Sequence, residues 1–99
     1  MIQDTIKKTG LPCVYSHSEK GITPPYIAYI GSGQEQFKAD NTRFSYYNTY
    51  QVEFYFKEKN EDLEDTIEQT LLADGFFFEK SEDIFLEDEN VFLIYYYVQ

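Results

Sequence analysis

Residues 44–56 read FSYYNTYQVEFYF, and seven of these thirteen residues are Phe or Tyr. Apolar and polar positions alternate along the stretch, which is the period of a β-strand whose two faces meet different environments. The even-numbered positions are apolar apart from Asn48: Phe44, Tyr46, Tyr50, Val52, Phe54 and Phe56. The odd-numbered positions are largely polar: Ser45, Tyr47, Thr49, Gln51, Glu53 and Tyr55. The pattern therefore predicts a strand with one face in the core and the other toward solvent.

The same aromatic residues could instead form a platform on which nucleic-acid bases stack. Such platforms interleave aromatic side chains with Lys or Arg. Here the nearby basic residues lie only at the ends of the stretch: Lys38, Arg43, Lys57 and Lys59. The core-strand interpretation is therefore favoured. Tyr47 and Tyr55, on the polar face, are predicted to contact a neighbouring subunit, because tyrosine is enriched in protein interfaces.

The chain before this strand predicts a short helix and the first half of a hairpin. Residues 2–9 predict the helix, which Gly10 and Pro12 end. Gly31 and Gly33 predict a bulge within a strand. The strands expected before and including the opening stretch are Cys13–Tyr15, 26–37 and 44–56. The turn KADNTR at 38–43 joins the last two, since Asp and Asn tolerate left-handed φ, and so predicts a long antiparallel hairpin.

The chain after this strand predicts an amphipathic helix over 60–75, capped by Asn60 and ended by Gly75. Its apolar stripe consists of Leu63, Ile67 and Leu71. Strands are expected at 76–80 and 91–99, separated by the acidic segment SEDIFLEDEN. The last strand, VFLIYYYVQ, is apolar on both faces, so we expect it to be central or to meet another subunit.

These elements predict one α+β domain over residues 1–99, in the order α-β-β-β-α-β-β. We expect a mostly antiparallel sheet with both helices on one face. A chain of 99 residues is long enough to bury a core without staples, and its ten Tyr and nine Phe must fill much of it. The net charge of −10, from eighteen acidic and eight basic residues, opposes binding to nucleic acid or to an anionic membrane.

Nothing in the sequence predicts catalytic, cofactor-binding or metal-binding residues. His17 is the only histidine, and its neighbours Ser16 and Ser18 lack the strand–turn–helix setting of a nucleophile. The acidic EDEN at 87–90 lacks the spacing of a calcium loop and predicts a solvated turn. Cys13, the only cysteine, permits no internal disulfide. The start MIQDTIKK has no apolar segment, so we expect synthesis and folding in a cytoplasm.

Several segments, in this order, resemble a family of tail-terminator (tail-completion) proteins of long-tailed bacteriophages. They are TPPYIAYIG at 23–31, FKADN at 37–41, the run from Thr49 to Lys80 and the closing VFLIYYYVQ. The resemblance implies a structural, non-enzymatic protein that forms a ring, typically a hexamer, on the end of a completed tail tube. Such a ring stops tube polymerisation and presents the surface that docks the filled head.

The resemblance also implies partners and a location. The partners would be other copies of the chain, the tail tube protein and a head-completion or neck protein, with DNA passing through the channel without sequence-specific binding. The location would be the head-proximal end of the virion tail, after synthesis in the cytoplasm of the bacterial host. The acidic excess suits a channel along which DNA slides. No catalytic residue is implied.

A ring requires a head-to-tail interface on each subunit. The residues expected to form it, or to contact the tail, are Lys38, Asp40, Asn41, Arg43, Tyr47, Tyr55, Phe92, Ile94 and Tyr96. Two other functions are compatible with the sequence. One is another head–tail joining, head-completion or minor tail role. The other, of a different class, is an acidic DNA-mimic inhibitor of a host nucleic-acid enzyme.

Overall fold

The computed structural model describes residues 2–16, 22–38 and 44–99, without the side chains of residues 37, 38, 44 and 45. Two helices and six strands lie in these ranges. In chain order they are α1 Ile2–Lys7, β1 Cys13–Tyr15, β2 Tyr26–Lys38, β3 Phe44–Phe56, α2 Glu61–Ala73, β4 Phe78–Lys80, β5 Ile84–Leu86 and β6 Val91–Val98. The predicted α+β class is confirmed.

The six strands form one sheet in the order β1-β2-β3-β6-β4, with β5 also paired to β6. Every pairing is antiparallel except that of β1 with β2. The last strand is central, as its apolar sequence predicted, because β3 lies on one side of β6 and β4 and β5 on the other. β5 is an addition to the expected order. Its three residues lie inside the acidic segment, where Ile84 and Leu86 project toward the same face as Leu93 and Val91.

Both helices pack on one face of the sheet and form the main core with it. The buried members of this core are Ile2, Ile6, Ile27, Val52, Phe54, Phe56, Ile67, Leu71, Ile94, Tyr96 and Val98. Two ring contacts extend along it: Phe54 and Phe56 stack within β3 with centroids 5.1 Å apart, and Phe56 stacks on Phe92 of the neighbouring β6 with centroids 5.5 Å apart. The even-numbered face of β3 is therefore a core face from Val52 onward, as its alternation predicted.

The second helix begins and ends where the sequence predicts. Asn60 is the N-cap, and its side-chain oxygen accepts a hydrogen bond from the Leu63 amide at 3.1 Å. The acidic first turn faces the positive end of the helix dipole. Gly75 follows the C-cap with φ +88°, a left-handed conformation that costs glycine little. The left-handed backbone at Gly75 therefore ends α2 and turns the chain toward β4.

A buried carboxylate ties α2 to the sheet. Glu64 is only 3% exposed, and its two oxygens lie 2.8 Å from the ammonium groups of Lys59 and Lys80. Lys80 also lies 2.8 Å from Glu68, which accepts a hydrogen bond from the Tyr96 hydroxyl. Burial alone raises the pKa of Glu64, but the hydrogen bonds and charges of the two lysines outweigh it and hold that pKa below its ordinary value.

We expect Glu64→Gln to lower the free energy of unfolding by about 2 kcal/mol at neutral pH, because the variant leaves two lysines without their shared carboxylate. Since the folded-state pKa lies below the ordinary value of 4.5, the contribution of the charged group is complete above that pH. It is lost as the pH falls through the folded-state pKa. The difference between wild type and variant should therefore shrink in acid.

Urea denaturation from pH 7 downward measures this difference. Glu61→Gln, on the exposed side of the same helix, is the matched control and should change stability by no more than about 0.5 kcal/mol. Equal unfolding free energies for the Glu64 and Glu61 variants at pH 7 would contradict the structural role of the buried carboxylate.

Candidate subunit interface

The β2–β3 hairpin extends well beyond the rest of the sheet. β6 pairs with β3 only over Tyr50–Phe56, and β1 pairs with β2 only over Ile27–Tyr29. Residues 31–38 and 44–49, called here the arm, therefore form a two-stranded ribbon among the described strands. The long dimension of the molecule is 51 Å, against 25 and 23 Å for the other two. The predicted long hairpin is confirmed.

A bulge marks the base of the arm, as its glycines predicted. The pairing register shifts between Gly31 and Gly33, and Gly33 has φ +132°, which a side chain would strain. Opposite the bulge, Thr49 is buried and its hydroxyl accepts a hydrogen bond from Ser32 at 2.9 Å. This contact anchors the arm to the point where β6 pairing ends.

The described side chains of the arm are exposed and almost free of charge. Residues 31–36 and 46–48 are all exposed, and Glu35 is the one charged residue among them. A chain of amides runs along one face, in which Gln36 donates to Gln34 at 2.7 Å and Gln34 donates to Asn48 at 3.2 Å. Tyrosines with uncharged polar neighbours are the composition of protein-binding surfaces.

An exposed aromatic surface lies beside the base of the arm. We call it the basal patch, formed by Tyr47, Gly75, Phe77 and Gln99. Phe77 is 71% exposed, and its backbone exchanges two hydrogen bonds with Gln99, at 2.8 and 2.9 Å. The Tyr47 hydroxyl donates to the side-chain oxygen of Gln99 at 3.3 Å. A ring this exposed yet this firmly held by backbone hydrogen bonds is suited to binding another protein.

Tyr47 is exposed, as expected, and belongs to the basal patch. Phe77 and Gln99 were not foreseen as part of this surface. The sequence FFF at 76–78 could have indicated an exposed ring. Adjacent strand residues point to opposite faces, so one of three consecutive rings must face away from the other two. The turn after α2 places Phe76 against Tyr50 and leaves Phe77 outside.

The expected interface residues at the hairpin turn are only partly visible. Asp40, Asn41 and Arg43 lie outside the described residues. Lys38 is the last residue of β2, and only its backbone is described. Their contact with a neighbouring subunit stays a prediction.

The expectation that Tyr55 is exposed is wrong. It is only 4% exposed, its ring stacks on Tyr26 with centroids 4.7 Å apart, and its hydroxyl donates to the buried Glu53. Burial, followed by the hydrogen bond to Glu53, raises the pKa of Tyr55. The second face of the sheet thus has its own small core, with the buried members Val14, Ala28, Tyr55, Val91 and Leu93. The alternation in β3 predicted that this face is exposed to solvent. In the structure the rings of Tyr26 and Tyr55 stack on each other there, and Tyr55 is buried.

The last strand presents the opposite face from the one expected at an interface. Phe92, Ile94 and Tyr96 point toward the helices, and Ile94 and Tyr96 have no exposed surface. Ile94 and Tyr96 are covered by their own chain, so their expected availability to a neighbour is wrong. Phe92 is half-buried, and its contact with a neighbour stays a prediction. The exposed aromatic residue of β6 is Tyr97, at 37%. Because β6 is apolar on both faces, its sequence has no alternation that would show which of its side chains face the helices and which face away.

Charge is divided unevenly along the chain. Residues 1–56 contain five acidic and five basic residues, whereas residues 57–99 contain thirteen acidic and three basic residues. The net charge of −10 therefore belongs to the second half. Its exposed acids lie along α2 and along residues 79–89. The predicted solvated turn at 87–90 is confirmed, with an amide-to-carbonyl hydrogen bond of 3.3 Å from Asn90 to Glu87.

Within residues 2–16, 22–38 and 44–99, no group of three or more His, Cys, Asp or Glu side chains is arranged to hold a metal ion. In the same residues, no helix is long and apolar enough to cross a membrane. Cys13 is half-buried, and burial raises the pKa of its thiol. Among known proteins, no family model matches the chain, and no curated sequence matches it significantly.

Proposed function

We propose that this chain is a structural protein of bacteriophage assembly. Copies of it form a ring on the head-proximal end of the tail tube, and the resemblance to tail-terminator proteins implies six copies. The ring ends tube polymerisation and provides the surface to which the head docks. The protein acts by binding other proteins and carries out no reaction.

The observation that carries this proposal is the arm. Two-stranded ribbons are marginal when nothing covers them, yet this one is long, has little charge and is rich in tyrosine and amides. Such a surface is stabilised by a partner. The basal patch beside it supplies exposed aromatic rings, which are the residues that dominate binding energies in protein interfaces. The arm and the basal patch together therefore support a role in assembly with other proteins.

The partners follow from the same proposal. Other copies complete the ring, the tube protein contacts one face of it, and a head-completion or neck protein contacts the other. DNA passes through the channel without base-specific contacts. The acidic half of the chain suits a channel wall, because like charge keeps DNA from adhering to it. Another neck or minor tail role would use the same surfaces with different neighbours.

One observation favours a second candidate, an acidic inhibitor that mimics DNA. Thirteen of the eighteen acidic residues lie in the second half of the chain. Such an inhibitor would present them to a host nucleic-acid enzyme in place of phosphates. The arm, which has little charge, has no part in that function, so the structural role accounts for more of the molecule.

A binding experiment separates the two candidates. The purified chain, immobilised through a tag, is incubated with tail tubes of its phage and, separately, with host RNA polymerase and nucleases. We expect capture of tubes, with the chain at one end of each tube by electron microscopy. Capture of a host enzyme, inhibited by the chain and released by DNA, together with no binding to tubes, would overturn the structural proposal.

A further inference from the structure

The arm has donor groups and little charge. The amides of Gln34, Gln36 and Asn48 and the hydroxyl of Tyr46 lie on exposed side chains of one face of the arm, whereas Glu35 and Tyr47 lie on the other face. Amide and hydroxyl hydrogens are good donors to carboxylate oxygens, and hydrogen bonds to a charged acceptor are roughly twice as strong as neutral ones. This face of the arm has no carboxylate among its described side chains, so it can approach an acidic surface and bind it through these hydrogens.

An acidic surface lies along the outer edge of the sheet. β4 and β5 pair with β6 in registers that differ by a single residue, so Phe78–Leu86 runs beside β6 as one nearly continuous edge. We call this segment, with the turn 87–90, the acidic edge. Its exposed carboxylates are those of Glu79, Glu82, Glu87, Asp88 and Glu89, together with Asp83, which is paired with Lys59 at 3.0 Å. Phe85 adds an exposed ring, 47% accessible.

The charge distribution decides how two copies can meet. Two acidic halves repel each other, so an interface that pairs acidic edge with acidic edge is opposed by like charge. An interface between the neutral arm of one copy and the acidic edge of another avoids this repulsion. Because those are different surfaces, the contact is head-to-tail, which is the kind that closes into rings.

We propose that the arm of each subunit lies against the acidic edge of the next subunit, with its amide and tyrosine donors on the carboxylates of residues 79–89. This inference rests on the proposed ring and names the surfaces that join its subunits. The exposed rings of Tyr46, at 66%, and Phe85 supply apolar contact within an otherwise polar interface.

A pair of substitutions of opposite charge at one arm position tests the contact. Gln36→Glu should weaken self-association of the purified full chain about tenfold, and Gln36→Lys should strengthen it by a similar factor. The difference between the two should largely vanish at high salt, where screening shortens the range of the interaction. Analytical ultracentrifugation measures both constants. Equal association of the two variants at low salt would overturn the proposal.

Photo-crosslinking locates the contact independently. The photoreactive residue p-benzoyl-phenylalanine replaces Tyr46, and this chain is mixed with ¹⁵N-labelled wild-type chain so that only crosslinks between copies are scored. Crosslinks to residues 78–90 of the other copy support the proposal. Crosslinks to the other copy's arm, or oligomers without any crosslink to residues 78–90, would overturn the proposed contact. Neither result would contradict the proposed tail function. A chain that stays monomeric at high concentration also overturns the proposed contact, and tube binding then tests the function separately.

Discussion

Ile94→Ala should lower the free energy of unfolding by about 4 kcal/mol, the cost of removing a large aliphatic side chain from a filled core. Ile94 has no exposed surface, and it lies opposite Phe54 in the pairing of β3 with β6. Removing its side chain leaves a cavity between the central strands and the helices. A domain of this size has only about 5–15 kcal/mol of stability, so the variant should unfold at much lower urea.

The matched control is Ile94→Val, which removes one methylene group and should cost about 1 kcal/mol. The unfolding free energies of the alanine and valine variants distinguish a core position of Ile94 from an interface position. If Ile94 contacted a neighbouring subunit instead, the alanine variant would keep its urea midpoint as an isolated monomer and lose only assembly. That result would contradict the position of Ile94 beneath the helices.

Much of the fold could be predicted where two faces of an element differ in chemistry. The alternation in β3 predicted its core face because Val52, Phe54 and Phe56 are separated by polar or tyrosine side chains. α2 was predictable because a cap, a stripe and a final glycine agree on one helix. Gly31 and Gly33 predicted the bulge for the same local reason, a backbone conformation that glycine adopts readily.

The candidate interface was less predictable because its residues depend on which face of a strand the helices cover. VFLIYYYVQ offers apolar side chains on both faces, and only the packing of α1 and α2 assigns Ile94 to the core. Tyr55 shows the same limit, since a tyrosine on a polar face can be buried by another ring and bond its hydroxyl to a carboxylate. The basal patch joins residues far apart in sequence, so no local pattern contains it.

The double substitution Tyr47→Ser and Phe77→Ser should abolish function without unfolding the chain. Both side chains are exposed, so the loss of stability should be within about 1 kcal/mol. Aromatic anchors of this kind often contribute about 2 kcal/mol or more each to an interface. Removing two of them should weaken assembly by at least about a hundredfold, because each 1.4 kcal/mol is a factor of ten.

Binding of the variant to tail tubes, compared with wild type, measures this loss, and circular dichroism checks that the fold is retained. Tyr15→Ser is a suitable control, because Tyr15 is also exposed but lies on β1, at the other edge of the sheet from β4 and β5. It should bind tubes as wild type does. Full tube binding by the double variant would exclude the basal patch from the interface.

The most direct measurement of the proposed function is the tail length of a phage that lacks this chain. If the chain caps the tube, electron microscopy of the deletion lysate should show filled heads beside separate tails that are abnormally long and variable. Wild-type chain supplied from a plasmid should restore joined particles with tails of uniform length, and the Tyr47→Ser, Phe77→Ser variant should not. Tails of normal length in the deletion lysate would contradict the account.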